Sequence, residues 1–463
     1  MPPNSTTSSI MNPIVPFLVI FAFALIACSN SETVGTQAKS TITEPVITDS
    51  TFSQEVAYDT ISESLLLDDT EYPYAGIPRI VIETENHREI KDRETEIPAK
   101  LQIWGENAPE SKIMALTIRG RGNSSWNTPK KSYKIEFTDK QSILEMPEDR
   151  DWALISNYAD KTLMKNYLMY HLSAKLGAYY ASRCEFAELF INKEYLGVYL
   201  ITETIKIGKN RINIPQNDNS YIVEFDAKYR EDEQVIFSKV LEANSNGKAF
   251  RVHSPKNASK KILSEIENHI IEFESYLKTI DPQKSNQLEQ WIDVDDYVKH
   301  YWVQEFSKNP DAWFLTSVYF SWIRDDVIRM GPVWDFDLAF GGHANELPFD
   351  EYENLGRLGP KGWYTNVFYW NNYLFKDSIF STETKQFWIE NKNFFYDIPN
   401  HVDSLAAFLH LAAKNNFKKW DVLQSTKYIY HRHAYNAYED AVEDLKKWIN
   451  ERIQWIDKEI APL

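Results

Sequence analysis

From Ile77 the chain falls into short runs in which apolar and polar residues alternate. PRIVIET, KLQIWG, IMALTIRG and SYKIEFT read this way, each followed by a polar turn. Successive side chains of a strand point to opposite faces, so the pattern predicts strands and an antiparallel N-terminal sheet. The period then changes. Over 160 to 177, Leu163, Met164, Tyr167, Leu168, Leu172 and Leu176 recur at helical spacing, with Asp160 placed to cap and Gly177 to stop the helix. EFAELFIN and YLGVYLITETI predict a hairpin turning at Asn192-Lys193-Glu194, and SYIVEFD, 220 to 226, is a further strand. Ile262, Ile266, Ile270, Phe273 and Leu277 form a helical stripe over 259 to 278. Asp293 and Asp296 cap the next helix, which runs to Ser307. Residues 380 to 460 are mostly helical, with Val442, Leu445, Ile449, Ile453, Ile456 and Ile460 on one stripe. Strands first and helices after predict an α+β protein.

Composition adds the class and the compartment. Of 463 residues, 43% are apolar and 14% aromatic, which describes a folded chain with a large core. Acidic residues number 67 against 50 basic ones, and the net charge of −17 argues against nucleic acid as a partner. Residues 12 to 28, NPIVPFLVIFAFALIAC, carry an apolar run too short for a spanning helix and end in small residues, as a secretory signal does. Leu25-Ile26-Ala27-Cys28 resembles a bacterial lipoprotein processing box. That resemblance implies cleavage before Cys28, a lipid on its thiol, and an exported protein anchored to the bacterial membrane. Residues 29 to 72 are rich in Ser, Thr and Glu and read as a tether. With Cys28 lipidated only Cys184 remains, so no intrachain disulfide is expected.

Three segments carry candidate chemistry. In GPVWDFDLAFGG, 331 to 342, Asp335 and Asp337 interrupt an apolar run. On a strand both carboxylates share one face, and such a pair is costly unless paired, protonated or bound to a cation. In EFSKNPDAWFLTSVYF, a helix runs into Asn309-Pro310-Asp311 and the strand TSVYF follows. A hairpin through IRDD brings the Asp311 loop and the two later aspartates to one end of a sheet. In IRGRGNSSWNTPKKSYKIEF, a strand ends in Gly120, Arg121, Gly122 and Asn123, and the next carries Lys130, Lys131 and Lys134. Turn amides and a lysine can cradle phosphates, with Lys130 and Lys134 on one face. Carboxylates meeting in this way suit phosphoryl transfer or glycoside hydrolysis, and the glycine turn with its lysine strand favours the first.

IRGRGNSSW, PKKSYKIEF, DWALISNYADKTLMKNYLMYHLSAKLG, FINKEYLGVYLITETIKIGKNRINI and WDFDLAFG, in this order, resemble the spore coat protein H (CotH) kinase family. The resemblance covers about residues 77 to 345 and extends to the C-terminal helices. It implies an atypical protein-kinase-like fold of two lobes, a strand-rich N-lobe over about 73 to 226 and a mainly helical C-lobe over about 227 to 463. It also implies transfer of phosphate from ATP, with Mg²⁺ or alternatively Mn²⁺, to Ser or Thr of exported proteins. Asp311 takes the catalytic position and Asp335 the metal position, with Asp337 as a second ligand or an orienting group. Gly120, Arg121, Gly122, Asn123 and Lys134, or Lys130 as its rival, face the phosphates. Two departures stand out. Thr316 occupies the place of the asparagine that holds a second metal. The helix over 160 to 177 contains no Glu to pair with the lysine, which leaves Glu188, Glu203 and Glu224 as substitutes. A surface binding protein that kept the fold without turnover is the alternative from another class.

Overall fold

The strands of the N-terminal half close on themselves. The computed structural model describes residues 64–242, 247–284, 287–342, 359–427 and 433–461, so Cys28 and most of the tether lie outside the described residues. β1 (Arg79–Thr84), β2 (Ile97–Trp104), β3 (Met114–Arg121), β4 (Ser132–Ile143), β5 (Met146–Ile155), β6 (Cys184–Ile191) and β7 (Glu194–Glu203) form a barrel in the order β1-β2-β3-β4-β5-β7-β6. The neighbours pair antiparallel except at one seam, where β1 and β6 run parallel with Arg79 opposite Glu188. That parallel seam replaces the open antiparallel sheet the alternation predicts. Ile80, Ile82, Ile118, Ile135, Phe137, Trp152, Leu154, Leu189 and Ile201 fill the barrel. On the outer face Ala153, Ile155, Phe186, Val198 and Leu200 join a second, larger core. Strands buried on both faces lose the clean alternation, which is why β6 and β7 read as near-continuous apolar runs.

Packing also reaches back before residue 73. Leu65 is buried against Val81, Phe190 and Tyr195, and the Tyr72 ring stacks on Tyr195 at 4.1 Å. The helix expected from 160 starts later, as α1 (Lys165–Lys175). Leu163 takes a left-handed φ of 62°, and Asp160 turns its carboxylate to the Thr162 and Lys165 amides at 2.8 and 2.9 Å. Asp160 thus caps from one turn further out. Gly177 stops the helix at φ 75°, a conformation glycine adopts without a Cβ clash.

The second sheet holds β8 (Ser220–Phe225), β9 (Val235–Ser238), β10 (Lys248–Ser254), β11 (Val318–Ile323) and β12 (Arg329–Met330), in the order β12-β11-β8-β10-β9. β8 therefore belongs with the C-terminal half and not with the strands before it. α2 (Lys260–Leu277) buries Ile266, Ile270, Phe273 and Leu277 in the same core. α3 (Val294–Ser307) starts where Asp293 accepts the Asp296 amide, as the cap signal predicts. α4 (Tyr369–Leu374), α5 (Ser378–Tyr396), α6 (Ile398–Lys419) and α7 (Tyr438–Glu459) complete the helical part. The α7 stripe is buried from Val442 to Ile456.

Two polar ties hold the parts in register. Arg452 of α7 donates to Glu305 of α3 at 2.6 Å, with both side chains fully buried. Asn416 of α6 accepts the Val198 amide of β7 at 3.1 Å and the Lys130 ammonium at 2.8 Å, which joins helix to barrel. Among the described residues no helix is long and apolar enough to cross a membrane.

Buried histidines set an acid limit on this fold. Burial pushes His300 down to about 3 and His269 down to about 4, while the His269 ring stacks on Trp322 at 3.8 Å. An unfolded histidine binds its proton near pH 6.5, so below that pH the unfolded chain takes up protons the native one refuses. Stability present above pH 6.5 is therefore lost as pH falls toward these depressed values. His269→Phe keeps the stacking and cannot protonate. Its melting temperature should fall less than wild type between pH 6.5 and 4, a difference on the order of 2 kcal/mol by pH 4 after allowing for solvent screening. Identical pH slopes for the two proteins would contradict this account.

Candidate active site

Asp311 is placed by the end of α3. Lys308 leaves the helix with a left-handed φ of 47°, and Asn309 caps a 3-10 turn, Pro310–Trp313, by accepting the Asp311 amide. Pro310 sits at the first turn, where a missing N–H costs nothing. Asp335 arrives from the other side. β11 and β12 pair only from Phe320 opposite Met330 to Ser321 opposite Arg329. Pro332 then offers no amide for a ladder, and residues 331 to 336 run as a loop in which Asp335 has φ 85°. The strand expected over WDFD is thus a loop. Its end is fastened to α3, where the Phe340 amide donates to the Ser307 carbonyl at 2.8 Å.

Because the backbone turns at Asp335, the two aspartates do not project together. Asp335 Oδ2 accepts the Ser317 hydroxyl at 2.6 Å, beside Asp311. Asp337 Oδ1 accepts the Asn166 amide, and its nearest cations are Lys165 and Lys130. Asp337 therefore belongs to a buried polar layer shared with α1. The expected meeting of the Asp311 loop with the segment after the hairpin does occur, through Asp335, while Asp337 sits behind it with its charge still acting on Asp335.

Electrostatics set this site apart. Asp311 and Asp335 are 1% and 2% exposed, and among the described residues both oxygens of Asp311, Oδ1 of Asp335 and also Oδ2 of Asp337 find no hydrogen-bond partner. Burial pushes both carboxyls well above the usual carboxylate range; the Asp311 charge adds to the rise at Asp335, while Lys228 opposes it at Asp311. An isolated buried carboxylate costs several kcal/mol, so the unpartnered oxygens mark a place where a cation fits. Among the described residues no three or more His, Cys, Asp or Glu side chains form a metal-holding group. A divalent ion of the Mg²⁺ kind is commonly held by one or two carboxylates plus phosphate and water, and Asp335 with Asp311 supply that much.

A cleft lies between the barrel and the second sheet, and Ser317, the hydroxyl donor to Asp335, is part of its lining, while Asp311 and Asp335 themselves stay buried behind it. One part, about 250 Å³, is lined by Arg121, Gly122, Asn123, Asp226, Thr316 and Ser317 among others. A larger part, about 600 Å³, runs to Thr204, Ile205, Lys206 and Ile207, in the connection between β7 and β8. Arg119, Arg121, His253, Tyr319 and Trp334 line both. The Arg121 guanidinium lies 5.0 Å over the Trp334 ring and makes no hydrogen bond or ion pair with the described residues. Gly122 has φ 97°, and its carbonyl and the Asn123 side chain both accept from Arg93, which holds the turn in place.

The other candidates are placed differently. The Gly120 amide donates to the Asp92 carbonyl at 2.9 Å, and a Cβ there would strike Trp126. Gly120 thus serves close packing. Lys130 and Lys134 do not share a face. Lys130 precedes β4 and is buried, donating to the Val198 carbonyl at 2.6 Å behind the cleft. Lys134 lines the larger cleft, paired with Asp151 at 2.7 Å and Glu136 at 3.0 Å. Burial works against the Asp151 charge, but Lys134 and Lys206 bring that carboxyl down to about 2. None of the three glutamates proposed as the lysine's partner reaches it: Glu188 binds Tyr195 and Asn415, Glu203 binds Arg183 and Arg211, and Glu224 binds Arg251 and His253. The Thr316 hydroxyl donates to Asp226 at 3.1 Å, which places it beside a carboxylate of the second sheet. Asp226, Lys228 and Ser317 are site residues that sequence reasoning missed. The signal was present in SYIVEFD, where Glu224 and Asp226 close an apolar strand two residues apart, as in WDFD.

The arginines that line the cleft and the buried acids next to Ser317 fit the chemistry of a phosphate-bearing ligand, and the comparison with known families agrees. No curated protein matches the chain. The family described as CotH kinase protein matches residues 118–456, a span that holds Arg121, Asp311, Asp335 and every element from β4 to α6. The chain belongs to the CotH kinase family.

Proposed function

We propose that this protein is a kinase of exported proteins that moves the γ-phosphoryl group of ATP to a Ser or Thr hydroxyl. The observation that carries the reading is the pair of buried carboxyls, Asp311 and Asp335, whose oxygens lack partners among the described residues, next to a cleft lined by Arg121, which makes no ion pair with the described residues. The barrel is then the N-lobe of a kinase-like pair, and the second sheet with the helices is the C-lobe. The nucleotide base lies toward Thr204–Ile207 and the phosphates toward Arg121, Gly122 and Asn123. Mg²⁺ or Mn²⁺, when bound at Asp335, supplies positive charge to the phosphate oxygens.

The chain's own groups do the rest. Arg121 offers guanidinium N–H donors to phosphate oxygens, and stacking on Trp334 keeps it aimed. Ser317 fixes one oxygen of Asp335 and leaves the other open. Asp311 orients the acceptor hydroxyl and takes its proton as the new O–P bond forms and the bond to the β-phosphate oxygen breaks. A binding protein without turnover remains the second reading, favoured by Thr316 facing Asp226 in place of a second metal ligand.

The same proposal places the protein outside the cytoplasm, held to the membrane by a lipid on Cys28. Its support is the apolar run ending in Leu-Ile-Ala-Cys, followed by the polar tether.

Three outcomes test these statements. Purified protein with labelled ATP and Mg²⁺ should label an exported protein acceptor or itself, and Asp311→Ala should lower the rate about a hundredfold or more. Equal labelling by both proteins removes Asp311 from the chemistry. Millimolar Mg²⁺ should raise the melting temperature by about 2 to 4 °C, and Asp335→Asn should abolish that response. A response kept in the variant places the ion elsewhere. In the native host the protein should fractionate with membranes, and Cys28→Ser should release it. Membrane association unchanged by the substitution argues against the lipid.

A further inference from the structure

We propose that Lys228, on the turn after β8, is a catalytic residue that meets the transferred phosphoryl group beside Asp311. The inference rests on the kinase reading above and extends it to a residue from a different part of the chain. The backbone carries it there. The Leu315 amide donates to the Asp311 carbonyl at 3.3 Å, and the Ala227 amide donates to the Leu315 carbonyl at 2.7 Å. The Thr316 hydroxyl and the Lys228 amide both donate to Asp226 Oδ1, at 3.1 and 2.8 Å. Two of these hydrogen bonds, from Ala227 to Leu315 and from Thr316 to Asp226, stitch the turn at 226–228 onto the segment that carries Asp311, and the other two brace each side. They set the Lys228 side chain, half-buried, among three carboxylates.

Charge tells the same story. Lys228 is the strongest cation acting on Asp311, and Asp311 is the strongest anion acting on Lys228, with Asp335 next and Asp226 after it. Arg121 belongs to the barrel, and Lys228, on the turn after β8 of the second sheet, adds a second cation near Asp311. The chemistry requires one there. During transfer the acceptor oxygen bonds to the γ-phosphorus, and the bond to the β–γ bridging oxygen breaks with its electron pair leaving on ADP. The acceptor proton passes to Asp311, and Lys228 keeps its own. Charge spreads over the three oxygens of the moving group, where a fixed ammonium stabilises it more than it stabilises the ground state. Before the nucleotide arrives, the same ammonium offsets the Asp311 carboxylate. Its two roles need only the short movement a lysine stem permits.

A lysine that touches the γ-phosphate distinguishes ATP from ADP, whereas one that only supports the fold does not. Calorimetry on the full chain with Mg²⁺ compares a non-hydrolysable ATP analogue with ADP for wild type, Lys228→Met and Lys228→Arg. Lys228→Met should bind the ATP analogue about tenfold more weakly, since a lost hydrogen bond to a charged group is worth about that much. Its ADP affinity should stay within about twofold, and its labelling rate should fall about a hundredfold. Lys228→Arg should recover part of both losses. If Lys228→Met binds the ATP analogue as wild type does, or loses ATP and ADP affinity alike, the assignment is overturned. Should Lys228→Met melt well below wild type, Lys228→Arg decides: ATP and ADP affinities lowered equally count against the contact. A wild-type chain that binds neither nucleotide overturns the kinase reading itself, a result distinct from failure at Lys228.

Discussion

Three carboxylate oxygens, two on Asp311 and one on Asp335, are held out of water with no hydrogen-bond partner among the described residues. That is the constraint on which the rest of the structure turns. A fold selected for stability alone would neutralise or expose them, because each buried charge costs several kcal/mol when left unpaired. Here the neighbouring groups do the opposite. Ser317 satisfies one oxygen of Asp335 and leaves its twin open, and Lys228 offsets Asp311 only in part. Burial favours the protonated carboxyls in the empty site, and a cation entering it would stabilise their charged form, a role that a metal-bound triphosphate fills together with Arg121 of the barrel.

The scaffold keeps the acids close by fixing both of their backbones to one helix end. α3 is anchored from behind by the buried Glu305–Arg452 pair, and its last turn leads to Asp311 while accepting the Phe340 amide of the Asp335 loop. Breaking a fully buried pair of this kind by removing one partner is costly, which makes the α3 terminus a rigid base. The barrel is coupled to the helices separately, by Asn416 reaching β7 and Lys130. The cleft therefore lies between the barrel and the second sheet, which share a core on the barrel's outer face and are linked by the connection that contains Lys206 and Ile207. Lys206 and Lys134 share Asp151 across that opening, a link between the connection and the barrel wall.

Local pattern was legible in the sequence where local forces decide. The Asn192-Lys193 hairpin, the Asp293 cap, the α2 and α7 stripes and the hairpin that brings the Asp311 and Asp335 segments together all follow from spacing and turn chemistry. The barrel closure was not legible, because β1 meets β6 across about a hundred residues and no local signal encodes a parallel seam. The Asp335 loop was misread as a strand because alternation cannot register a left-handed residue. Lys130 and Lys134 were treated as rivals for one role, yet one is locked behind the cleft and the other is paired within it. Asp226 and Lys228 went unnoticed since their meaning arises only when Ala227 docks on Leu315.

The most direct test of the central claim is a crystal structure of the full chain with Mn²⁺ and a non-hydrolysable ATP analogue, with the metal located by its anomalous scattering. The account predicts an anomalous peak within coordination distance of Asp335 Oδ1, shared with phosphate oxygens, with Arg121 on the phosphates and Asp311 facing the γ-phosphorus. A metal peak away from Asp335, or a nucleotide bound outside the cleft between barrel and sheet, contradicts it.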